Sequence, residues 1–231
     1  MFYGSFMIDL QYILTIQNNN DMKKNKIITA ACAAMFGMTA LCGTACAQET
    51  ALPQPAQSSV AGSLTKALQD RRSTRTFSDT TLSDQTLSDL LWAADGVNRK
   101  DGRRTAPSAM NRQDVTIYVG KADGTFRYDA AANRLVKIGG GDLRKAAAGR
   151  NKFIATAPVV LVIASDTGLT GGNMGISGLN VGAVMQNVYL YCAANGLATV
   201  CCYAGDAPKD MQKFLGVKES IVPLVYMPVG Y

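Results

Sequence analysis

The sequence predicts a domain of mixed helix and strand with an antiparallel sheet, and three stretches predict it. Val115, Ile117 and Val119 alternate with less apolar neighbours, and turns at Ala122-Asp123-Gly124 and near Asn133 lead on to Phe126-Arg127-Tyr128 and Leu135-Val136-Lys137. Alternation broken by turn residues is the pattern of an antiparallel meander. Leu87, Leu90, Leu91 and Ala94 recur at 3–4 spacing, one face of an amphipathic helix. Residues 179–195 are apolar nearly all round, which places that helix centrally or at a subunit interface.

A chain of 231 residues allows one domain, or one domain with an added segment. Its hydrophobic fraction of 48% and charged fraction of 17% suit a sizeable core. The net charge of +6 is modest, and no basic run alternates with aromatics, so a nucleic-acid interface is not expected. Histidine is absent. That excludes Ser-His-Asp and Cys-His nucleophile pairs, a histidine base and His-containing zinc sites. Any enzymatic chemistry is therefore expected to reside in a bound cofactor.

Met22-Lys-Lys-Asn-Lys starts a charged segment, residues 27–41 are apolar and small, and Ala45-Cys46-Ala47 offers a cleavage site before Gln48. This is the pattern of a secretory signal peptide over 22–47. Residues 1–21 precede a natural start at Met22 and read as an overextended N-terminus. The mature protein is expected to be exported, to the periplasm, with no membrane span. Lipid anchoring at Cys46 is disfavoured because Gly43 stands where an aliphatic residue is normal. Of the later cysteines, Cys201 and Cys202 are adjacent, which leaves at most one disulfide, from Cys192. No C-x-x-C spacing supports a metal site.

Residues 48–62, rich in Pro, Gln, Ser and Ala, read as a flexible linker before a folded domain over 63–231. Ser63 is a candidate cap for a helix over 64–71 whose apolar face is Leu64, Ala67 and Leu68. Ser83 caps the next helix, with Leu82 and Leu87 as a hydrophobic staple, Asp84 on its N-terminal dipole and Gly96 at its end. Trp92 lies off the apolar stripe and is expected to pack on a neighbouring element or subunit. After the meander, a short helix is expected over 142–148 and a buried strand over 158–164. Residues 166–178 carry five glycines. Their spacing is not G-x-G-x-x-G, so a mobile loop over a ligand is expected rather than a dinucleotide turn. Gln186 and Asn187 interrupt the long apolar helix and need hydrogen-bond partners if buried. A strand over 197–203, a helix over 208–215 and a last strand over 221–229 follow. Pro223 and Pro228 put that strand at an edge or in an irregular ladder.

Two stretches carry candidate chemistry. Asp70-Arg71-Arg72-Ser73-Thr74-Arg75-Thr76-Phe77 packs three arginines and three hydroxyls where a helix gives out. Guanidiniums clamp phosphate oxygens bidentately, and hydroxyls complete the shell; a solvated basic helix end would look similar. Residues 98–113 form a long polar loop, uncommon in a compact domain unless functional. Its Ser108, Asn111 and Gln113 suit the edge of a heteroaromatic ring, though turn-forming Pro and Asn also suit a plain surface loop.

Four motifs in order then resemble the nitroreductase superfamily: Arg71-Arg72-Ser73-Thr74-Arg75-Thr76-Phe77, Leu90-Leu91-Trp92-Ala93-Ala94-Asp95-Gly96, Ala106-Pro107-Ser108-Ala109-Met110-Asn111-Arg112-Gln113, and Gln186-Asn187-Val188-Tyr189-Leu190 with Gly196-Leu197-Ala198-Thr199. The branch most similar holds the SagB-type azoline dehydrogenases and related nitroreductase-like proteins. The resemblance implies an α+β fold, with a central, mainly antiparallel sheet flanked by helices. It also implies a homodimer with FMN sites shared between chains. Arg71, Arg72, Ser73 and Arg75 would bind the FMN phosphate and ribityl chain. Pro107, Ser108, Asn111 and Gln113 would reach a flavin shared with the partner, and the loop before Gly178 and the start of the helix that follows would lie near the ring. The implied activity is ping-pong transfer through flavin N5 to or from a small organic substrate. NAD(P)H is an implied donor, one that export would put out of reach. Peptide azoline dehydrogenation and non-catalytic flavin binding are the alternatives. The chain lacks the basic pair that many relatives carry after the last strand, which shifts phosphate binding onto the early arginines.

Overall fold

The computed structural model describes residues 48–56, 64–205 and 209–231. The meander forms as its alternation predicts, with β2 (Val115–Lys121), β3 (Gly124–Asp129) and β4 (Arg134–Gly139) paired antiparallel. Beyond β2 come β5 (Val159–Asp166) and β8 (Ile221–Gly230), also antiparallel, in registers such as Ile117↔Ile163 and Leu161↔Met227. Two short strands, β6 (Ala198–Thr199) and β7 (Cys202–Tyr203), both pair with β8. The expected continuous strand over 197–203 is thus two pieces hinged at Val200-Cys201. At the other edge, β1 (Glu49–Ala51) pairs with β4. The order is β1-β4-β3-β2-β5-β8-β6, a mainly antiparallel sheet with helices on it.

Side-chain alternation divides the core between the two sheet faces. Ile117, Val119, Leu161, Ile163, Met227 and Val229 pack beneath α2 (Asp84–Asp95) and α4 (Met174–Ala194). Tyr118, Val160, Val162 and Tyr226 pack with α3 (Leu143–Ala148) and α5 (Lys209–Leu215) on the opposite face. Burial on both faces explains why β5 is an unbroken apolar run. In α2, Ser83 Oγ accepts from Thr86 N at 3.0 Å, and Leu87, Leu90, Leu91 and Ala94 are all fully buried. Each buried leucine contributes about 1.5–3 kcal/mol relative to exposure.

Several expectations need correction. The linker over 48–62 is folded in its first part: β1 joins the sheet, and Leu52 is buried. The Pro53 carbonyl accepts from Asn133 Nδ2 at 2.8 Å and from Ser88, and the Ala56 amide donates to Asp89 at 2.8 Å. A segment poor in apolar residues is held here by its backbone, which composition cannot reveal. Helix α1 (Leu64–Asp70) buries only Ala67, and Leu64 and Leu68 are exposed. Helix α4 begins at Met174, five residues early, so Gly175 and Gly178 lie inside it. The preceding loop is therefore short, and it is tied down by Thr167 N to the Ser220 carbonyl and Gly172 N to the Thr167 carbonyl, both at 2.8 Å. Nor is α4 buried all round, since Leu179 is 76% exposed. Strand β8 is flanked on both sides, and its ladder slips where Pro223, lacking an N–H, pairs with Ala164. Cys192, Cys201 and Cys202 are free thiols, and burial pushes Cys192 up. Among the described residues, no helix is long and apolar enough to cross a membrane, and no group of side chains could hold a metal ion. The Ser63 cap, Pro208, Cys46 and the export-signal reading lie outside the described residues.

Candidate functional site

The arginine cluster leaves α1 as a segment laid against the far end of the sheet. Arg71 N still bonds the Ala67 carbonyl at 2.9 Å, Thr74 N donates to the Thr199 carbonyl at 2.8 Å, and Ser78 N donates to the Tyr231 carbonyl at 2.7 Å. Phe77 seats on Gly230, where a Cβ would stand 3.2 Å from its ring and 2.7 Å from Pro158. The backbone is therefore anchored at both ends, while Arg72 and Arg75 are exposed.

Tyr189 of α4 organises the inner part of the cluster. Its ring lies under the Arg71 guanidinium at 5.3 Å, and its hydroxyl meets Ser73 Oγ at 2.9 Å. The same hydroxyl accepts the Cys201 backbone N–H at 2.7 Å, which joins the cluster to the β6–β7 hinge. Arg75 lies over the Phe153 ring at 5.9 Å. Arg72 lines a cleft of about 400 Å³ together with Thr74, Tyr189, Thr199 and Tyr231, a volume in the range of small-ligand sites. Asp70, the nearest carboxylate in sequence, is paired with Lys66 at 2.7 Å. Among the described residues, no carboxylate pairs with Arg71, Arg72 or Arg75. Three uncompensated guanidiniums with a hydroxyl between them are a donor set for a phosphate.

The polar loop has more structure than its composition suggests. Val97 and Arg104 form an antiparallel bridge, and Trp92 Nε1 donates to the Val97 carbonyl at 3.0 Å. Trp92 thus closes the loop that follows its own helix. Arg104 pairs with buried Asp95 and donates to the Val115 carbonyl at 3.2 Å. Burial pushes the Asp95 carboxyl up to about 7, against the pull of Arg104 and with Asp114 adding to the rise. A 3-10 turn, Ala109–Asn111, follows. Met110, Asn111 and Gln113 have φ of 52°, 53° and 49°, the left-handed region that L side chains seldom adopt. Ser108 Oγ accepts from Gln113 N at 2.9 Å, and Gln113 Nε2 donates to the Gly102 carbonyl at 3.0 Å and to Asn111 Oδ1 at 3.3 Å. Ser108 and Gln113 therefore shape the loop, while Pro107 and Asn111 are exposed. Arg112 donates to the Leu169 carbonyl, so the glycine-rich loop leans on this one.

The two predicted groups do not meet within one chain. No hydrogen bond, ion pair or ring contact among the described residues joins 71–75 to 107–113. They attach to different turns of α4: Ser73 reaches Tyr189, and the Ala109 amide donates to Asn180 Oδ1 at 3.0 Å. Nine residues of helix separate those anchors by about 14 Å. Sequence reasoning assigned no site role to Tyr189 or Phe153, and it reached Asn180 only as part of the helix start expected near the ring. Tyr189 lies inside the Gln186-Asn187-Val188-Tyr189-Leu190 motif, and that was its available signal.

Comparison with known proteins agrees with this architecture. The model of the nitroreductase family matches residues 68–231. A nitroreductase-family protein of Methanocaldococcus jannaschii is 36% identical over 175 residues, 69% of this chain and 86% of that protein. The crystal structure of a nitroreductase-family protein from Ralstonia eutropha superposes with a TM-score of 0.73 at 32% identity, covering 79% of this chain and 88% of its own. A further one, from Desulfovibrio desulfuricans in complex with FMN, shares the fold at 20% identity and a TM-score of 0.54, over 73% of this chain and 86% of its own. The chain belongs to the nitroreductase family, and it is an oxidoreductase of that family.

Proposed function

We propose that the protein is an FMN-dependent oxidoreductase acting on a small organic substrate as a homodimer, with each flavin held between residues 71–75 of one chain and 107–113 of its partner. The observation that carries this reading is the cluster Arg71, Arg72 and Arg75, none of them ion-paired to a carboxylate among the described residues and with Arg72 lining a cleft, in a chain of this family. The FMN complex of the Desulfovibrio protein and a solved FMN-dependent nitroreductase from Clostridium difficile support the cofactor.

Bound FMN would supply the two-electron chemistry in a chain that has no histidine. The protein's part is to bind and orient. Arg71, Arg72 and Arg75 would neutralise the phosphate, Arg71 and Arg75 each resting on an aromatic ring. Ser73 adds a hydroxyl fixed by Tyr189. Pro107 and Asn111, exposed on a loop of fixed shape, are offered to a flavin on the neighbouring chain. The dimer is supported by the separation of the two groups along α4 and by exposed apolar side chains around the second: Leu179 at 76%, Met110 at 73%, and Leu169 and Met174 at 48% each. Solved relatives named as NAD(P)H nitroreductases make a nicotinamide donor reasonable. Export through residues 22–47 to the periplasm would require another donor.

The test is an absorption spectrum of the purified protein, followed by titration of the apoprotein with FMN. The wild type is expected to be yellow. Arg71→Glu/Arg75→Glu is expected to bind FMN more than a hundredfold more weakly, since each charge-assisted hydrogen bond is worth about 1.5–3 kcal/mol. A double variant that stays fully loaded refutes the assignment.

A further inference from the structure

Beneath the 107–113 loop lies a buried polar network that the flavin reading does not use. Asp114 is 1% exposed and pairs with no cation among the described residues. Its Oδ1 accepts from Asn180 Nδ2 at 2.6 Å, and its Oδ2 from Ser165 Oγ at 2.5 Å. Ser165 Oγ is also 2.9 Å from Ser177 Oγ, which in turn is 3.0 Å from Thr170 Oγ1. Every hydroxyl here is buried between β5, α4 and the loop that joins them.

Asn180, itself buried, is the member that reaches the loop. Its amide nitrogen serves Asp114, and its carbonyl oxygen accepts the Ala109 backbone N–H at 3.0 Å. One side chain thus ties Ala109, the residue just before the left-handed positions, to a buried carboxylate. Backbone in that region persists only where its surroundings over-determine it. Ser108 and Gln113 supply constraint from within the loop, and Asn180 supplies it from outside. A buried carboxylate accepting two short hydrogen bonds is a stiff anchor, because breaking either leaves charge unsatisfied in low dielectric.

We propose that Asn180 and Asp114 are positioning residues that set the shape in which Pro107 and Asn111 are offered to the flavin of the partner chain, and so set flavin affinity without touching it. This rests on the flavin reading above. It assigns to α4 a second duty beside carrying Tyr189: one helix orders one half of each of two different sites.

The polarity of the pair makes a reciprocal test possible. Asn180→Asp sets two carboxylates against each other, whereas Asn180→Asp/Asp114→Asn restores every bond with donor and acceptor exchanged. The swapped Asn donates to the swapped Asp and accepts from Ser165, and the swapped Asp still accepts from the Ala109 amide. Two readouts are taken, hydrogen–deuterium exchange of the apoprotein and FMN affinity by titration. In Asn180→Asp, peptides covering 106–113 are expected to exchange at least about tenfold faster while those of α2 and β3 do not change. FMN binding weakens by about tenfold to a hundredfold, the scale of one hydrogen bond to a buried charge. The double variant recovers both to within about twofold. If Asn180→Asp does not fold, Asn180→Ser removes the amide without adding charge and carries the same expectation. Unchanged loop exchange with unchanged affinity overturns the proposal, and so does a double variant that recovers neither. A wild type that binds no FMN while its loop is protected as expected defeats the flavin reading itself, and the positioning role toward flavin falls with it.

Discussion

At the scale of single residues, Tyr189 does the most with one functional group. Its hydroxyl accepts from the Cys201 amide and shares a proton with Ser73, while its ring supports Arg71. Removing only the oxygen separates these roles. Tyr189→Phe keeps the ring beneath Arg71 but leaves the Cys201 N–H without its acceptor, at a cost of about 1–3 kcal/mol. Urea unfolding should show that loss, and FMN affinity should fall by about three- to tenfold because Ser73 is no longer oriented. A variant as stable as the wild type, with equal affinity, would show that the hydroxyl links nothing. Arg71, Ser73 and Arg75 could be singled out from their types and spacing, because phosphate recognition depends on chemistry that each residue carries with it. Tyr189 could not. Its role depends on Cys201 and Ser73, 12 and 116 residues away.

At the scale of elements, α4 shows where periodicity runs out. Its apolar character is spread round the helix, so no stripe says which side faces the sheet. Val181, Val184, Val188 and Cys192 are buried, whereas Leu179 is open. Leu64 and Leu68 of α1, expected to form a buried face, are exposed at 65% and 52%. Exposed apolar side chains on α1 and the first half of α4 suit a partner helix pair, which is the proposed dimer. Leu179→Glu is expected to shift the protein toward monomer by at least about tenfold in dissociation constant, read by sedimentation velocity, with flavin occupancy falling in step. A fully dimeric Leu179→Glu protein would place the interface elsewhere. By contrast, α2 was legible to its boundaries. Its Ser83 cap, apolar stripe and Gly96 stop are local features, and the tertiary structure adds only what it rests on.

At the scale of the whole molecule, stability carries a pH signature from the buried Asp95. Burial pushes its carboxyl from 3.8 up to about 7, so the folded protein binds this proton more tightly than the unfolded chain. Stability from this group is therefore present below about pH 4 and lost as pH rises to about 7. Asp142 runs the other way: the Arg144 hydrogen bond holds its carboxyl below the usual range, so its contribution grows above the unfolded value and is lost in acid. Comparing melting temperatures of wild type and Asp95→Asn across pH isolates the first effect. The difference, variant minus wild type, should climb by on the order of 5 °C between pH 4 and 7 and then flatten. A flat difference across that range would mean that Arg104 holds Asp95 ionised throughout.

The sequence by itself determined the class of fold, the family motifs and the residue types proposed to bind an anion. Caps, alternation, turn residues and guanidinium chemistry act over a few positions, and a few positions are visible in a string. Tertiary structure decided that 49–51 complete the sheet, that Trp92 closes its own loop, and that Ser108 and Gln113 shape the loop rather than stand free. It also decided that 71–75 and 107–113 lie on different turns of one helix. Each of these rests on which backbone or side-chain atom comes within about 3 Å of another across a long chain separation. That is fixed by packing the whole sheet and its helices together, and no local pattern encodes it.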